Sequence, residues 1–159
     1  MKHNLADSGC SESCSSDSLM NEQLLAKESG HGELLDAKAL LHQVVELCAE
    51  AKGKDITVLD VSKLTDICDY FVVVSGRSDR QVQGLCNRVI EGIEQSGGTL
   101  SSAEGIERGH WVVLDFGDVI MHVFYEALRP HYDIEGLWAK APRMKEFDRF
   151  VHEVSVRSA

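Results

Sequence analysis

The residue types best suited to chemistry occur in the short stretch Ser75–Ser78, which leaves one apolar run and enters another with helical spacing. A helix that begins there presents free backbone N–H groups, and such groups attract anions such as phosphates. Arg77 and Arg80 would add positive charge to an anion site at this point. Ser78 and Gln81 also have the spacing of a capping box, in which both side chains satisfy N–H groups of the first turn. The stretch therefore predicts either an anion-binding loop or a capped helix.

An enzyme that used this loop would be a nucleotidyltransferase or a related enzyme acting on a phosphate-containing substrate. Nucleotidyltransferases follow such a loop with a strand that carries two carboxylates one residue apart, because both must reach the same face to bind a divalent metal. No such pair follows here, since two residues separate Asp115 from Asp118 across a turn and a whole strand separates Asp55 from Asp60. The sequence therefore favours the capped helix, and a nucleotidyltransferase-like enzyme stays the alternative.

The cysteine and histidine residues occur in patterns typical of structural positions. Cys48 and Cys86 fall on apolar helix faces, where a thiol packs as a small hydrophobe. His122 lies on an apolar strand face, which favours a hydrogen-bonded core or edge residue over a general base. Cys10 and Cys14 lack the second pair of ligands that a structural zinc site requires. We therefore expect no catalytic residue, no metal and no cofactor.

A polar loop with Glu104 and Gly105 at its start leads into an apolar run at Trp111. A tryptophan at the end of a polar loop is a frequent anchor of protein interfaces, because it offers a large apolar area and one N–H donor at low entropic cost. The same pattern is equally consistent with a Trp111 that only covers the end of a sheet. The spacing alone does not separate these two interpretations.

Composition and charge narrow the classes of partner. In 159 residues, 16 Lys and Arg oppose 26 Asp and Glu, for a formal net charge of -10. This balance opposes binding driven by counterion release from phosphates, and no surface pattern of interleaved basic and aromatic residues is present. We therefore expect no sequence-specific nucleic-acid partner, and a basic protein partner suits the chain better.

The compartment can be predicted from the segments that the sequence lacks. No apolar run approaches the roughly twenty residues of a membrane helix, so we expect no membrane partner. The first residues have neither a signal-peptide nor a transit-peptide pattern, and the odd count of five cysteines is typical of reduced thiols. The sequence therefore predicts a soluble protein of the cytoplasm.

The spacing of apolar residues predicts one α/β domain at residues 34–142, a mixed central sheet flanked by helices. Runs of β-branched and aromatic residues predict the strands, and Gly117 marks a tight turn between the last two. Helices are expected from Leu34 to Cys48, from Ser78 to Ile93 and from Glu126 to Tyr132, and strands at Ile56–Val61, at Tyr70–Ser75, near Leu100 and in the two arms of Trp111–Phe124.

The two ends of the chain are expected to lie outside this domain. Residues 1–33 are rich in Ser and acids and lack aromatic residues, a composition typical of a disordered or loosely ordered tail. An apolar stripe continues to Trp138 and is interrupted at Pro142. Residues 143–159 are charged and weakly periodic, which predicts a charged C-terminal tail or a frayed helix.

Several stretches of this sequence occur in a characteristic order and spacing between residues 35 and 142. They are Leu59–Val61, Asp69–Val82, Glu104–Gly105, Gly109–Phe124 and Tyr132–Trp138. Together they resemble the Iojap-like family, also called the ribosomal silencing factors. Any one of these stretches would be a weak signal, whereas the ordered set is specific.

The resemblance implies a nucleotidyltransferase-like α/β fold without the catalytic carboxylates, in agreement with the missing pair. It implies a ribosomal silencing factor that binds the large-subunit ribosomal protein uL14 and sterically blocks association of the ribosomal subunits, repressing translation under nutrient limitation. Such a protein is not an enzyme, and the family also implies a possible homodimer. Carried over by matching position, the residues expected to bind uL14 are Glu104, Gly105, Trp111, Asp115 and Asp118.

Overall fold

The computed structural model describes residues 36–158. The expected tail at residues 1–33, with Cys10 and Cys14, and the expected helix start at Leu34 lie outside the described residues. The described elements, in chain order, are α1 (Ala37–Glu50), β1 (Lys54–Asp60), β2 (Tyr70–Gly76), α2 (Asp79–Gln95), β3 (Ser102–Glu104), β4 (Trp111–Asp115), β5 (Val119–Tyr125), α3 (Arg129–Tyr132), α4 (Ile134–Leu137) and α5 (Glu146–Ser158).

The five strands form one mixed sheet in the order β1-β2-β5-β4-β3. β2 and β5 are parallel, whereas the other three neighbouring pairs are antiparallel. This arrangement confirms the predicted mixed central sheet flanked by helices. The short strand expected near Leu100 begins at Ser102, and it pairs with β4 at the edge of the sheet.

The hairpin of β4 and β5 turns as the sequence predicts. Gly117 has a φ of 93°, a left-handed conformation that favours glycine. The Asp115 carboxylate accepts a hydrogen bond from the Gly117 N–H at 2.8 Å, and the Phe116 N–H donates to the Val119 carbonyl at 3.0 Å. The turn therefore fixes the register between β4 and β5.

One side of the sheet, called here the inner face, is covered by α1, α2 and α5 and contains most of the buried core. Burying aliphatic side chains between these layers is the main stabilising contribution to the fold. Cys48 and Cys86 lie in this core, which confirms that they fill space as small hydrophobes. The strand residues that face it include Val72, Val74, Val112, Leu114, Met121 and Val123.

The C-terminal segment differs from the expected tail or frayed helix. Residues 146–158 form a regular helix, α5, that packs against α1. Phe147 and Val154 are buried in the core, and the ring of Phe147 lies 4.7 Å from that of His42. The apolar residues of α5 follow helical spacing, but its many charged residues hide that spacing in the sequence.

The opposite side of the sheet, called here the outer face, is partly covered by residues 129–138, called here the outer segment. The segment consists of α3 and α4, two single helical turns that meet at Asp133, which has a φ of 45°. Ile134 of the segment packs against Val73 and Phe124 of the sheet. The outer face is therefore closed by a short irregular piece of chain and not by a long helix.

The helical piece expected from Glu126 to Tyr132 begins three residues later, at Arg129. Pro130 explains this start, because proline is favoured in the first turn of a helix, where a backbone N–H would have no carbonyl partner within the helix.

Within residues 36–158, no helix has both the length and the apolarity to cross a membrane.

Candidate functional site

Trp111 lies in an aromatic stack on the outer face. It begins β4 and pairs with Phe124 of β5, and their rings stack with centroids 5.4 Å apart. The ring of Tyr132, from the outer segment, lies 4.7 Å from the indole. The indole Nε1–H donates a hydrogen bond to Nδ1 of His122 at 3.3 Å. Trp111 is therefore held in one orientation while part of its side chain stays exposed to solvent.

His122 has the structural role that the sequence favoured. It is buried on the outer face, and burial lowers its pKa to about 4 from the ordinary value of 6.5. The imidazole is therefore neutral near pH 7, which allows Nδ1 to accept from Trp111 and assigns the ring proton to Nε2. Phe71 contacts the same ring edge-on at 5.1 Å. The histidine positions the tryptophan and has no substrate-facing geometry.

Strand pairing places three of the five expected binding residues on the outer face. Trp111, Val113 and Asp115 alternate along β4 and therefore project to the same side of the sheet. Glu104 pairs with Val113 across the β3-β4 ladder, so its side chain projects to that side too. The result is that Trp111 and two carboxylates lie on the same face of the sheet.

Gly105 and Asp118 do not project from the outer face beside Trp111. Gly105 has a φ of 84°, and a Cβ atom built on it would clash with the Trp111 carbonyl oxygen. It therefore lets the loop close tightly against the start of β4. Asp118 is in the β4-β5 turn at the end of the sheet, where its carbonyl accepts from the N–H groups of Asp69 and Tyr70.

Several carboxylates lie together at this end of the sheet. Burial raises the pKa of Asp69, and the negative charges of Asp118 and Asp60 raise it further. Within residues 36–158, no group of three or more His, Cys, Asp or Glu side chains has the geometry to hold a metal ion. These acids therefore add negative potential beside the outer face.

Further exposed apolar side chains lie on or beside the parts of the chain that cover the outer face, and sequence reasoning did not assign them. Tyr132 is 43% exposed and Leu137 is 76% exposed, both on the outer segment. Ile67 is also exposed, next to Cys68, which packs into an outer-face cluster. A usable signal was present, because Tyr132 and Leu137 fall within one of the stretches that carry the family resemblance.

The loop at residues 75–78 has the geometry of a capped helix. The Ser78 hydroxyl accepts from the Gln81 N–H at 3.1 Å, and the Gln81 amide oxygen accepts from the Arg77 N–H at 2.7 Å. The Ser75 hydroxyl is buried and accepts from Nη1 of Arg129 at 2.9 Å. These groups, which an anion or a reaction would need, are already bonded to the protein itself.

A protein-family model described as ribosomal silencing factor during starvation matches residues 35–159. This chain belongs to that family. The ribosomal silencing factor of Chromobacterium violaceum is 45% identical over 94 residues, which cover 59% of this chain and 77% of that protein. The factor of Bacillus subtilis is 32% identical over 108 residues, covering 68% and 92%. A crystal structure of a Chromobacterium violaceum protein has a TM-score of 0.64 at 40% identity and covers 65% of this chain and 87% of that chain.

Membership of the ribosomal silencing factor family confirms the resemblance that the sequence suggested. The match extends farther than residues 35–142, because the family model continues through α5 to the last residue. The buried Phe147 and Val154 give a physical reason, since without α5 part of the inner core would be exposed.

Proposed function

We propose that this protein binds the large-subunit ribosomal protein uL14 through the outer face around Trp111. Occupying that surface sterically blocks association of the ribosomal subunits and so represses translation under nutrient limitation. The observation that carries the proposal is the exposed aromatic and apolar patch on the outer face of a silencing-factor fold. Large apolar side chains that are rigidly held and yet exposed are typical of interface centres.

The charge of the outer face supports a basic partner. Glu104 and Asp115 lie on the same face of the sheet as Trp111, and the whole chain has a formal net charge of -10. Acidic groups at the rim of an interface speed encounter with a basic protein and make the association rate sensitive to salt. A protein that assembles with ribosomal RNA is basic for the same electrostatic reason.

The mechanism that we propose is occupancy without catalysis. The Ser75 and Ser78 hydroxyls and the Arg77 N–H are hydrogen-bonded to other groups of the protein itself. His122 is buried, neutral and bonded to Trp111. Affinity and shape are then the only quantities that determine activity, and the protein acts in the compartment where the ribosomes are, the cytoplasm.

Binding to purified large subunits tests the proposal, with Leu137→Ala as the probe. Leu137 is 76% exposed, so truncating it removes docking area without opening a cavity. Val156→Ala is the matched control, because Val156 is 63% exposed on α5, away from the outer face. We expect cosedimentation with large subunits and inhibition of subunit joining to weaken by tenfold or more, roughly a hot-spot loss, for Leu137→Ala. Equal cosedimentation and equal inhibition by the two variants would show that Leu137 of the outer segment does not contribute to the interface.

A second copy of the chain is the other occupant that an exposed apolar face can accept. If the homodimer uses the outer face, excess uL14 should dissociate it, because one surface cannot hold both partners. Analytical ultracentrifugation with and without purified uL14 measures this directly.

The enzyme alternative has its own test, since calorimetric titration with a nucleotide and Mg²⁺ should give no heat of binding.

A further inference from the structure

A buried charged side chain lies beneath the outer segment. Arg129, the first residue of the segment, is only 9% exposed. Removing a guanidinium from water is costly unless its charge and all of its N–H groups are compensated. The contacts of Arg129 therefore show how this cost is offset.

All five N–H bonds of Arg129 have partners. Nη1 donates to the Asp55 carbonyl at 2.7 Å and to the Ser75 hydroxyl at 2.9 Å. Nη2 donates to the Thr57 hydroxyl at 3.2 Å. Nη2 and Nε also donate to the two carboxylate oxygens of Glu135, at 2.6 and 3.1 Å, which makes a bidentate ion pair. The guanidinium thus joins β1, β2 and α4 at one point.

The partner residues are themselves shaped for this contact. The register of β1 shifts between Lys54 and Thr57, and Asp55 has a φ of 50° at this irregularity, where its carbonyl accepts from Arg129. The hydrogen bonds from Arg129 hold the pKa of Glu135 below its usual range, in spite of partial burial. Both ends of the ion pair are therefore charged near neutral pH.

The outer segment has few other means of keeping its position. Its two helices have four residues each, too short to be stable on their own. Ile134 and Trp138 pack on the sheet, and the Tyr132 ring packs against Trp111 while the residue stays 43% exposed, whereas Leu137 points outward. The exposed pair can present a fixed surface only if the segment beneath it is held.

We propose that Arg129 and Glu135 are positioning residues that hold the outer segment in its docking conformation before the partner arrives. This inference rests on the proposed function of the outer face. Without the Arg129–Glu135 ion pair, only a fraction of molecules would present Tyr132 and Leu137 correctly at any moment. The apparent affinity then falls by that fraction, through a slower association and not a faster dissociation, because the bound partner holds the segment in place.

The test compares Arg129→Met, Glu135→Gln and the matched control Arg88→Met. Arg88→Met removes the same charge, but from an exposed pair between Arg88 of α2 and Glu50 of α1. For the two positioning variants, we expect association with purified large subunits to slow by about tenfold, with the dissociation rate changed less than about twofold. In the free variants, amide hydrogen exchange should accelerate at residues 129–138 and stay unchanged in α2 and β5. Arg88→Met should match the unaltered protein in all these measurements.

Three results would overturn the inference. The first is unchanged exchange at residues 129–138, and the second is a defect that lies in dissociation alone. The third is faster exchange throughout α2 and β5, together with unchanged binding by the folded fraction of molecules. That result would show that Arg129 contributes only to the overall stability of the fold. If Arg129→Met does not fold, Glu135→Gln decides the matter, since it keeps the three bonds from Arg129 to β1 and β2. Failure of the unaltered protein to bind large subunits would instead refute the proposed function, while the exchange data would still report on the ion pair.

Discussion

The two faces of the sheet differ both in their side chains and in what covers them. The inner face is aliphatic, and helices of 14, 17 and 13 residues bury it completely at residues such as Leu114 and Met121. The outer face combines aromatic rings, a histidine and carboxylates, and two single-turn helices leave part of it exposed. Aliphatic burial supplies the free energy of folding, whereas rigid aromatic groups beside acids suit a surface that binds. Under the proposed function, stability and docking therefore reside on opposite sides of one sheet.

The largest expected effect comes from truncating a buried residue of the inner face. This change should lower the stability of the fold and leave binding to large subunits intact. Leu114→Ala removes a fully buried side chain and should lower the free energy of unfolding by about 2–5 kcal/mol. Leu137→Ala, on the outer segment, should change it by less than about 0.5 kcal/mol. Urea denaturation followed by circular dichroism measures both values. Similar losses from the two variants would contradict the separation of roles.

The loop that supports Trp111 should be less tolerant of a side chain than the hairpin turn. Gly105→Ala places a methyl group against the Trp111 carbonyl in a left-handed conformation, so we expect a loss of about 2–4 kcal/mol. Gly117→Ala is the matched control, because Gly117 has a φ of 93° but open space around it. It should cost only about 1 kcal/mol. Equal decreases in the denaturation midpoints of Gly105→Ala and Gly117→Ala would contradict this prediction.

Acid should destabilise the protein through the outer face. His122 has a pKa of about 4 in the folded protein and about 6.5 when unfolded, so between these values the unfolded chain binds a proton that the folded chain does not. Stability therefore falls as the pH drops from 6.5 to 4, by up to about 3 kcal/mol, and this contribution is constant outside that window. His122→Gln should remove this part of the pH dependence, whereas His152→Gln, on α5, should retain it. Denaturation across the pH range checks the prediction, and identical profiles for both variants would refute it.

The smallest expected effect concerns the acids of the outer face. Glu104→Gln combined with Asp115→Asn should slow association with large subunits by about threefold at low salt and hardly at all at high salt. Glu91→Gln combined with Glu94→Gln removes the same charge from the exposed side of α2 and serves as the control. Stopped-flow kinetics at several salt concentrations measures the difference. An equal slowing by both pairs would assign the effect to net charge alone.

Local features of the fold could be predicted because their causes are close in sequence. The turn at Gly117, the cap formed by Ser78 and Gln81, and the apolar runs of the strands each depend on a few neighbouring residues. The grouping of Trp111 with Glu104 and Asp115 was expected from the family resemblance, and the pairing of β3 with β4 places the three residues on one face. These parts of the chain have local preferences that agree with the final structure.

The features that sequence reasoning missed depend on distant contacts. Arg129 binds Ser75 and Thr57 across separations of 54 and 72 residues, and no local pattern indicates that these groups meet. Leu137 is exposed only because its neighbours in the outer segment turn inward. Helix α5 was expected only as a charged tail or a frayed helix, because its regular structure depends on packing against α1, which the composition of the segment does not reveal.

The most direct test of an outer docking face is a hydrogen-exchange footprint of the protein bound to purified large ribosomal subunits. We expect binding to slow amide exchange in β4 and at residues 129–138, whereas α1 and α5 should exchange as in the free protein. Protection confined to α1 and α5, with the Trp111 strand unchanged, would contradict it.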